Sequence, residues 1–240
     1  MGPSQYGWTT SPAPQWQDTR ATDRSALNDV FIAVVLGLVA VFISVGWLFA
    51  SPALSVLTAS TSASGTTISV AQSGLVLILI LIGISAALEL VQLWLYRRAF
   101  VTLARVDDQF STPSKLVLVL LIALVFLILA VIGIFYELAQ AVSCAGAGNP
   151  IPASCIDGGA LLGLLGLLLV FGIAALVGFF GGLILGIWRL GTRYNDGLFK
   201  AGAILTIFPV LNIIGTILIL VATHRAREVI ARSGAPSSFG

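Results

Sequence analysis

The chain has 240 residues, of which 58% are hydrophobic and 9% are Asp, Glu, Lys or Arg, and its formal net charge is +2. A water-soluble domain of this length needs far more charged surface than 12 basic and 10 acidic residues supply, so composition excludes that class and points to lipid as the solvent. The charge is too sparse for a nucleic-acid surface, and nucleic acid is not expected as a partner.

Residues 1–29 carry Pro3, Pro12 and Pro14 with Tyr6, Trp8 and Trp16 among Ser, Thr and Gln. They lack apolar periodicity and read as a flexible arm, with Asp18, Asp23 and Ser25 as candidate caps for a helix entering the membrane. Five apolar runs follow: Val30 to Ala50, Ser73 to Tyr96, Leu116 to Ala141, Gly158 to Trp188 and Ala201 to Ala222. Each reaches the roughly 20 residues needed to cross about 30 Å of hydrocarbon. None alternates with period two, so helices rather than a barrel are expected to satisfy the backbone. The first run follows a long polar stretch and exceeds a signal-peptide core, which reads as a retained anchor.

Between the first two runs, Ser55 to Ser69 is uncharged and rich in Ser, Thr, Ala and Gly, fitting an exposed outer loop that could form a short hairpin or carry sugar. Apolar residues at Phe100, Val101, Ala104 and Val106 extend the second helix past the membrane. Pro113 marks the start of the third, with Ser111 or Thr112 as its cap. In the fourth, Ala174, Gly178, Gly182 and Gly186 repeat every four residues, a face on which a neighbouring helix can approach closely, within the chain or in another subunit. The fifth holds Pro209 and Asn212 near its middle. Proline removes a backbone donor, and a buried Asn needs polar partners. The expected fold is therefore all-α, a polytopic membrane bundle of four long helices plus a fifth, Pro-interrupted segment that is either one kinked span or a re-entrant hairpin. The expected organisation is an arm over 1–29, a membrane domain over 30–222 and a basic tail over 223–240.

Every Lys and Arg lies in one of four places: before the first run, between the second and third, between the fourth and fifth, or after the last. The connections Ser51 to Gln72 and Val142 to Asp157 contain none. The positive-inside rule then puts the amino terminus and both basic loops in the cytoplasm and the two uncharged connections outside. The tail, with Arg225, Arg227 and Arg232, brings two rules into conflict. Five single crossings place it outside, whereas its charge calls for an even number of crossings.

Glu89 is the acidic residue well inside a span, about eight residues or roughly 12 Å before Arg97. A carboxylate there must be protonated, paired or facing water. Gln92 and Tyr96 share its face, so the stripe could bind a polar ligand or serve as structural glue against a neighbouring helix. Asn212 could coordinate an ion if its segment is broken, because unwound carbonyls and half-helix ends make such sites. Cys144 and Cys155 fall in one uncharged outer connection, where oxidation is permitted and a disulfide is expected. Two cysteines and one distant histidine, His224, are too few for a metal centre, and no phosphate-binding loop or haem or iron–sulfur ligand set occurs, so no catalytic residue, metal or cofactor is expected.

The stretch Tyr96-Arg-Arg-Ala-Phe-Val-Thr-Leu and the block from Trp188 through Arg-Leu-Gly-Thr-Arg-Tyr-Asn-Asp-Gly-Leu-Phe-Lys to Phe208-Pro-Val-Leu-Asn-Ile-Ile-Gly resemble the archaeal membrane family known as domain of unknown function 973. The resemblance runs roughly from Ala26 to Ala222. It implies a multi-pass archaeal plasma-membrane protein and supplies no activity or site residues. The expectation is a non-enzymatic accessory or structural subunit of a homo-oligomer or larger membrane assembly, with lipid and membrane subunits as partners. The alternative is a small-solute or ion transporter or channel using Glu89, Gln92 and the Pro209–Asn212 break.

Overall fold

The computed structural model describes residues 16–50, 57–62, 65–70, 72–145, 155, 157–208 and 210–233. These residues form seven α-helices and one two-stranded hairpin: α1 (Trp16–Ala50), β1 (Leu57–Ser62), β2 (Gly65–Val70), α2 (Gln72–Ala104), α3 (Ser111–Ala145), α4 (Gly158–Gly178), α5 (Leu185–Arg193), α6 (Gly197–Leu205) and α7 (Asn212–Ser233). Among the described residues three stretches are long and apolar enough to cross a membrane, Thr19–Ile43, Asp108–Ala141 and Gly158–Arg193. The chain is thus helical and built for a bilayer. Its departure from an all-α fold is the antiparallel pair β1–β2, in which Leu57 faces Val70 and Ser62 faces Gly65. The proline-rich start of the arm, residues 1–15, lies outside the described residues, as do Pro209 and the end of the tail.

The helix that enters the bundle begins at Trp16, so residues 16–29, expected within the flexible arm, are helical. Tertiary contacts explain the difference. Ala26 and Leu27 are fully buried, and Asp23 and Asp29 meet arginines from distant parts of the chain. Local composition gives no hint of those partners. Likewise α7 runs on to Ser233, well into the expected tail.

The core sits at the basic end of the bundle. Leu27, Val30 and Val34 of α1 meet Ala99, Phe100 and Leu103 of α2, and Ile187, Phe199, Ile219 and Ala222 close the cluster. Phe100 is its hub, stacking with Tyr96 at 6.2 Å and with Phe110 at 6.1 Å between ring centroids. By contrast, α4 packs on α3 and leaves a broad apolar face open, with Leu162, Leu169 and Val170 each at least 60% exposed. Such a face is stable against acyl chains and not against water.

Two helix breaks shape the fold. The fourth run is interrupted by a π-helical segment, Phe179–Ile184, whose sequence Phe-Phe-Gly-Gly-Leu-Ile carries two residues of poor helix propensity. The fifth run is two helices. After α6 the chain reverses and returns as α7, and the close approaches of Thr206 to Gly215 and Gly202 to Ile219 keep a constant residue sum, which marks an antiparallel hairpin. At 1.5 Å per residue, the 9 residues of α6 extend about 14 Å, less than half the hydrocarbon thickness. A backbone crossing at Gly202 and Gly215 makes the hairpin tight: a Cβ on either would stand within 2.9 Å of the other's carbonyl oxygen.

The returning helix ends where the first begins. Ala226 packs in the same cluster as Ala26 and Leu27, and the Arg227 guanidinium lies 4.8 Å from the centre of the Phe31 ring. The tail arginines therefore share an end of the bundle with the start of α1. Cysteines placed singly at Ala21 and Ala231 should accordingly respond alike to membrane-impermeant thiol reagents in intact cells, both protected or both modified; opposite responses would show a hairpin that crosses the bilayer.

At the far end, Cys144 and Cys155 are joined in a disulfide with Cα atoms 5.8 Å apart. A ring this short contributes about 3 kcal/mol on the chain-entropy account. Asp157 follows at once as the cap of α4, accepting from the backbone N–H groups of Gly159 and Ala160 at 2.9 and 3.2 Å.

Candidate functional site: a cavity at the broken helix

Glu89, Gln92 and Asn212 come together. They line one cavity of about 480 Å³ between α1, α2, α3, the π-helical segment and the α6–α7 turn. The range is that of sites that hold drug-sized molecules. Its polar groups are Glu89, Gln92, Tyr96, Thr206, Asn212 and Thr216, and the rest of the wall is apolar, including Leu93, Leu120, Leu124, Phe179, Leu183 and Ile219.

Each polar side chain is placed by a local feature. Glu89, Gln92 and Tyr96 lie one and two turns apart on α2 and so share a face. Gly37 of α1 provides the room for them: a Cβ there would stand 2.5 Å from Gln92 Nε2, so the amide lies directly over the glycine. Tyr96 is 3% exposed and its hydroxyl is paired with Gln92. Glu89 is an exposed residue of the lining. On the opposite wall, the Thr216 hydroxyl donates to the Asn212 backbone oxygen at 2.8 Å and lies 3.2 Å from Asn212 Oδ1. The Thr206 hydroxyl donates to the Ala203 carbonyl at 2.8 Å. Asn212 starts α7 directly after the turn and lines the cavity from there. The π-helical segment contributes Phe179 and Leu183, and π-bulges recur at functional positions in helices.

Gly178, Gly182 and Gly186 form a contact face within the chain. Added Cβ atoms at Gly178 and Gly182 would stand 2.8 Å from the Leu120 backbone nitrogen and 2.7 Å from that of Val117, while Gly186 is covered by the Phe100 ring. This face presses the fourth run onto α3 and α2 and so closes one side of the cavity.

At the basic end an ion network ties the bundle together. Arg193, at the end of α5, bridges Asp107 at 3.0 Å through one terminal nitrogen and Asp23 at 3.0 Å through the other. The three side chains are 17–24% exposed. Asp107 holds its place by accepting from the Gln109 backbone N–H at 3.1 Å. Arg193 is positioned by a tight corner: Asp196 N–H bonds Gly191 O at 3.0 Å, Asn195 takes φ 50°, and Asp196 then caps α6 through the Leu198 N–H. Asn tolerates that left-handed conformation, and Asp at a helix start satisfies an orphan donor. Tyr194 lies beside Arg193 with its hydroxyl buried and without a hydrogen bond of ordinary geometry. Burial raises its pKa above the usual phenol value and the Asp23 carboxylate pushes the same way, so the phenol stays neutral at physiological pH. A second pair, Arg98 to Asp29 at 3.2 Å, joins α2 to α1, with Arg98 largely open to solvent.

Sequence reasoning missed this network, since it used the arginines only to set orientation. The partners lie 86 and 170 residues from Arg193, and no spacing rule reaches that far. Thr216 was legible, one turn after Asn212 on the same face. His224 lies 3.9 Å from Glu228 on the exposed side of α7, away from the cavity. Among the described residues no three His, Cys, Asp or Glu side chains group closely enough to hold a metal ion.

No curated protein and no solved structure matches the chain. The family model described as protein of unknown function (DUF973) matches residues 24–236, and the chain belongs to that family.

Proposed function

We propose that this protein is a non-enzymatic plasma-membrane transporter or channel for small polar solutes or ions, with its amino terminus and basic end in the cytoplasm. In this reading α2 makes a fourth crossing, and α6 and α7 form a re-entrant hairpin that enters from the cytoplasmic side and returns to it. Even crossings agree with the placement of every Lys and Arg. The observation that carries the proposal is that Glu89, Gln92 and Asn212, separated by up to 123 positions in sequence, line one cavity at a helix break. Polar side chains and unwound backbone are costly in lipid and are tolerated where they face a cavity.

The test is reconstitution into liposomes with a panel of small charged and neutral solutes outside. The protein should admit at least one solute faster than empty vesicles do, and Glu89→Gln and Asn212→Leu should each remove the increment. Permeability equal to that of empty vesicles for the whole panel contradicts the proposal.

The accessory-subunit reading keeps one observation in its favour. Beyond its contact with α3, α4 presents Gly163, Gly166 and Gly172 with none of the described residues within 4 Å, open positions on which a helix of another subunit could pack.

A further inference from the structure

The chemistry of the cavity wall narrows the ligand. Among the described residues, Glu89 is the charged side chain of the lining, which includes no Lys, Arg or His. The wall is otherwise apolar over most of its extent, and it carries the aromatic rings of Tyr96 and Phe179. Resting on the transport reading above, we propose that the cavity binds an amphiphilic organic cation, an ammonium or phosphonium centre bearing an apolar body, with the Glu89 carboxylate as its counter-ion.

Three arguments select this class. An anion would meet a carboxylate with no compensating positive charge in the lining, and like charges repel. A bare inorganic cation needs about six or more oxygen ligands within about 2.6 Å, whereas the polar groups here are spread around about 480 Å³, and two of the hydroxyls already donate to backbone oxygens. A neutral polar solute would need hydrogen-bond partners on most of its surface, and the leucine, isoleucine and phenylalanine wall offers none. An organic cation fits on every count. Its apolar body covers Leu93, Leu120, Leu124 and Leu183, and its charge meets Glu89.

Equilibrium binding to the full chain in lipid nanodiscs tests this, with empty nanodiscs as blank. The probes are tetraphenylphosphonium and tetraphenylborate, which share shape and differ in sign. Tetraphenylphosphonium should bind saturably and tetraphenylborate should not. Glu89→Gln should weaken tetraphenylphosphonium binding at least about tenfold, Glu89→Asp should retain most of it, and both variants should melt at the wild-type temperature. Equal binding of the two probes, or unchanged binding in Glu89→Gln, overturns the proposal. Absence of tetraphenylphosphonium binding alongside Glu89-dependent Na⁺ or K⁺ flux in vesicles overturns the organic-cation class and leaves the transport reading standing. Absence of both binding and Glu89-dependent flux removes the two together.

Discussion

Replacing Arg193 with Ala should lower stability by about 2–4 kcal/mol, read as a marked fall in the thermal unfolding midpoint of the detergent-solubilised protein. The guanidinium bridges two carboxylates, Asp23 and Asp107, and all three groups are mostly withdrawn from water. Removing one member of such a set leaves the others charged and unpaired, which costs more than the set itself contributes. The residual exposure of 17–24% places the expected effect below that of a fully buried pair. Arg193→Lys should recover little, because a single ammonium cannot reach both acids through separate nitrogens. The combination Asp23→Asn, Asp107→Asn and Arg193→Met, which removes all the charges together, should be more stable than Arg193→Ala. An unchanged midpoint in Arg193→Ala would show that the network is ornamental. The corresponding change at Arg98 should cost about 1–2 kcal/mol, since Arg98 is 55% exposed but the Asp29 side chain it leaves behind is only 10% exposed.

Gly182→Leu should cost about 3 kcal/mol or more, or abolish recovery of folded protein. The neighbours of an added Cβ are the backbone atoms of Leu116 and Val117 at 2.9 and 2.7 Å, and backbone cannot rotate aside as a side-chain tip can. The helices must separate, which undoes the packing of the fourth run on α3 and opens the cavity wall at Phe179 and Leu183. Gly163→Leu is the matched control, because nothing lies within 4 Å of that position. It should change stability by no more than about 0.5 kcal/mol. Equal behaviour of the two variants in yield and melting would contradict the packing described here.

What could be read in the sequence follows from the range of each interaction. Apolar runs, a proline at a helix start, a glycine every fourth residue and two cysteines eleven apart act locally, and all are visible in one dimension. The choice between a kinked span and a hairpin was not. Pro209 and Asn212 suit both, and the close crossing of Gly202 with Gly215 favours the turn. The start of α1 at Trp16 was hidden because its polar residues are held by Arg193 and Arg98, and the π-helical segment because its apolar pattern matches that of an ordinary helix. For the cavity, Glu89, Gln92 and Asn212 stood out as polar residues in apolar runs. Gly37 did not: its role depends on Gln92 lying across it, a contact between two helices. The corner at Tyr194-Asn195-Asp196 was legible in principle, since Asn followed by Asp is a stop signal joined to a start signal.

The central claim is that the turn between α6 and α7 borders a largely apolar cavity whose charged group is Glu89. The most direct measurement places a cysteine at Asn212, leaving the native disulfide intact, and compares its modification by aminoethyl and sulfonatoethyl methanethiosulfonate in proteoliposomes. The account predicts that Asn212→Cys is modified, that the cationic reagent acts severalfold faster than the anionic one, and that Glu89→Gln removes this preference. If Asn212→Cys is as inert as a cysteine at Ile173, on the open apolar face of α4, or if the two reagents react equally in the presence of Glu89, the account is contradicted.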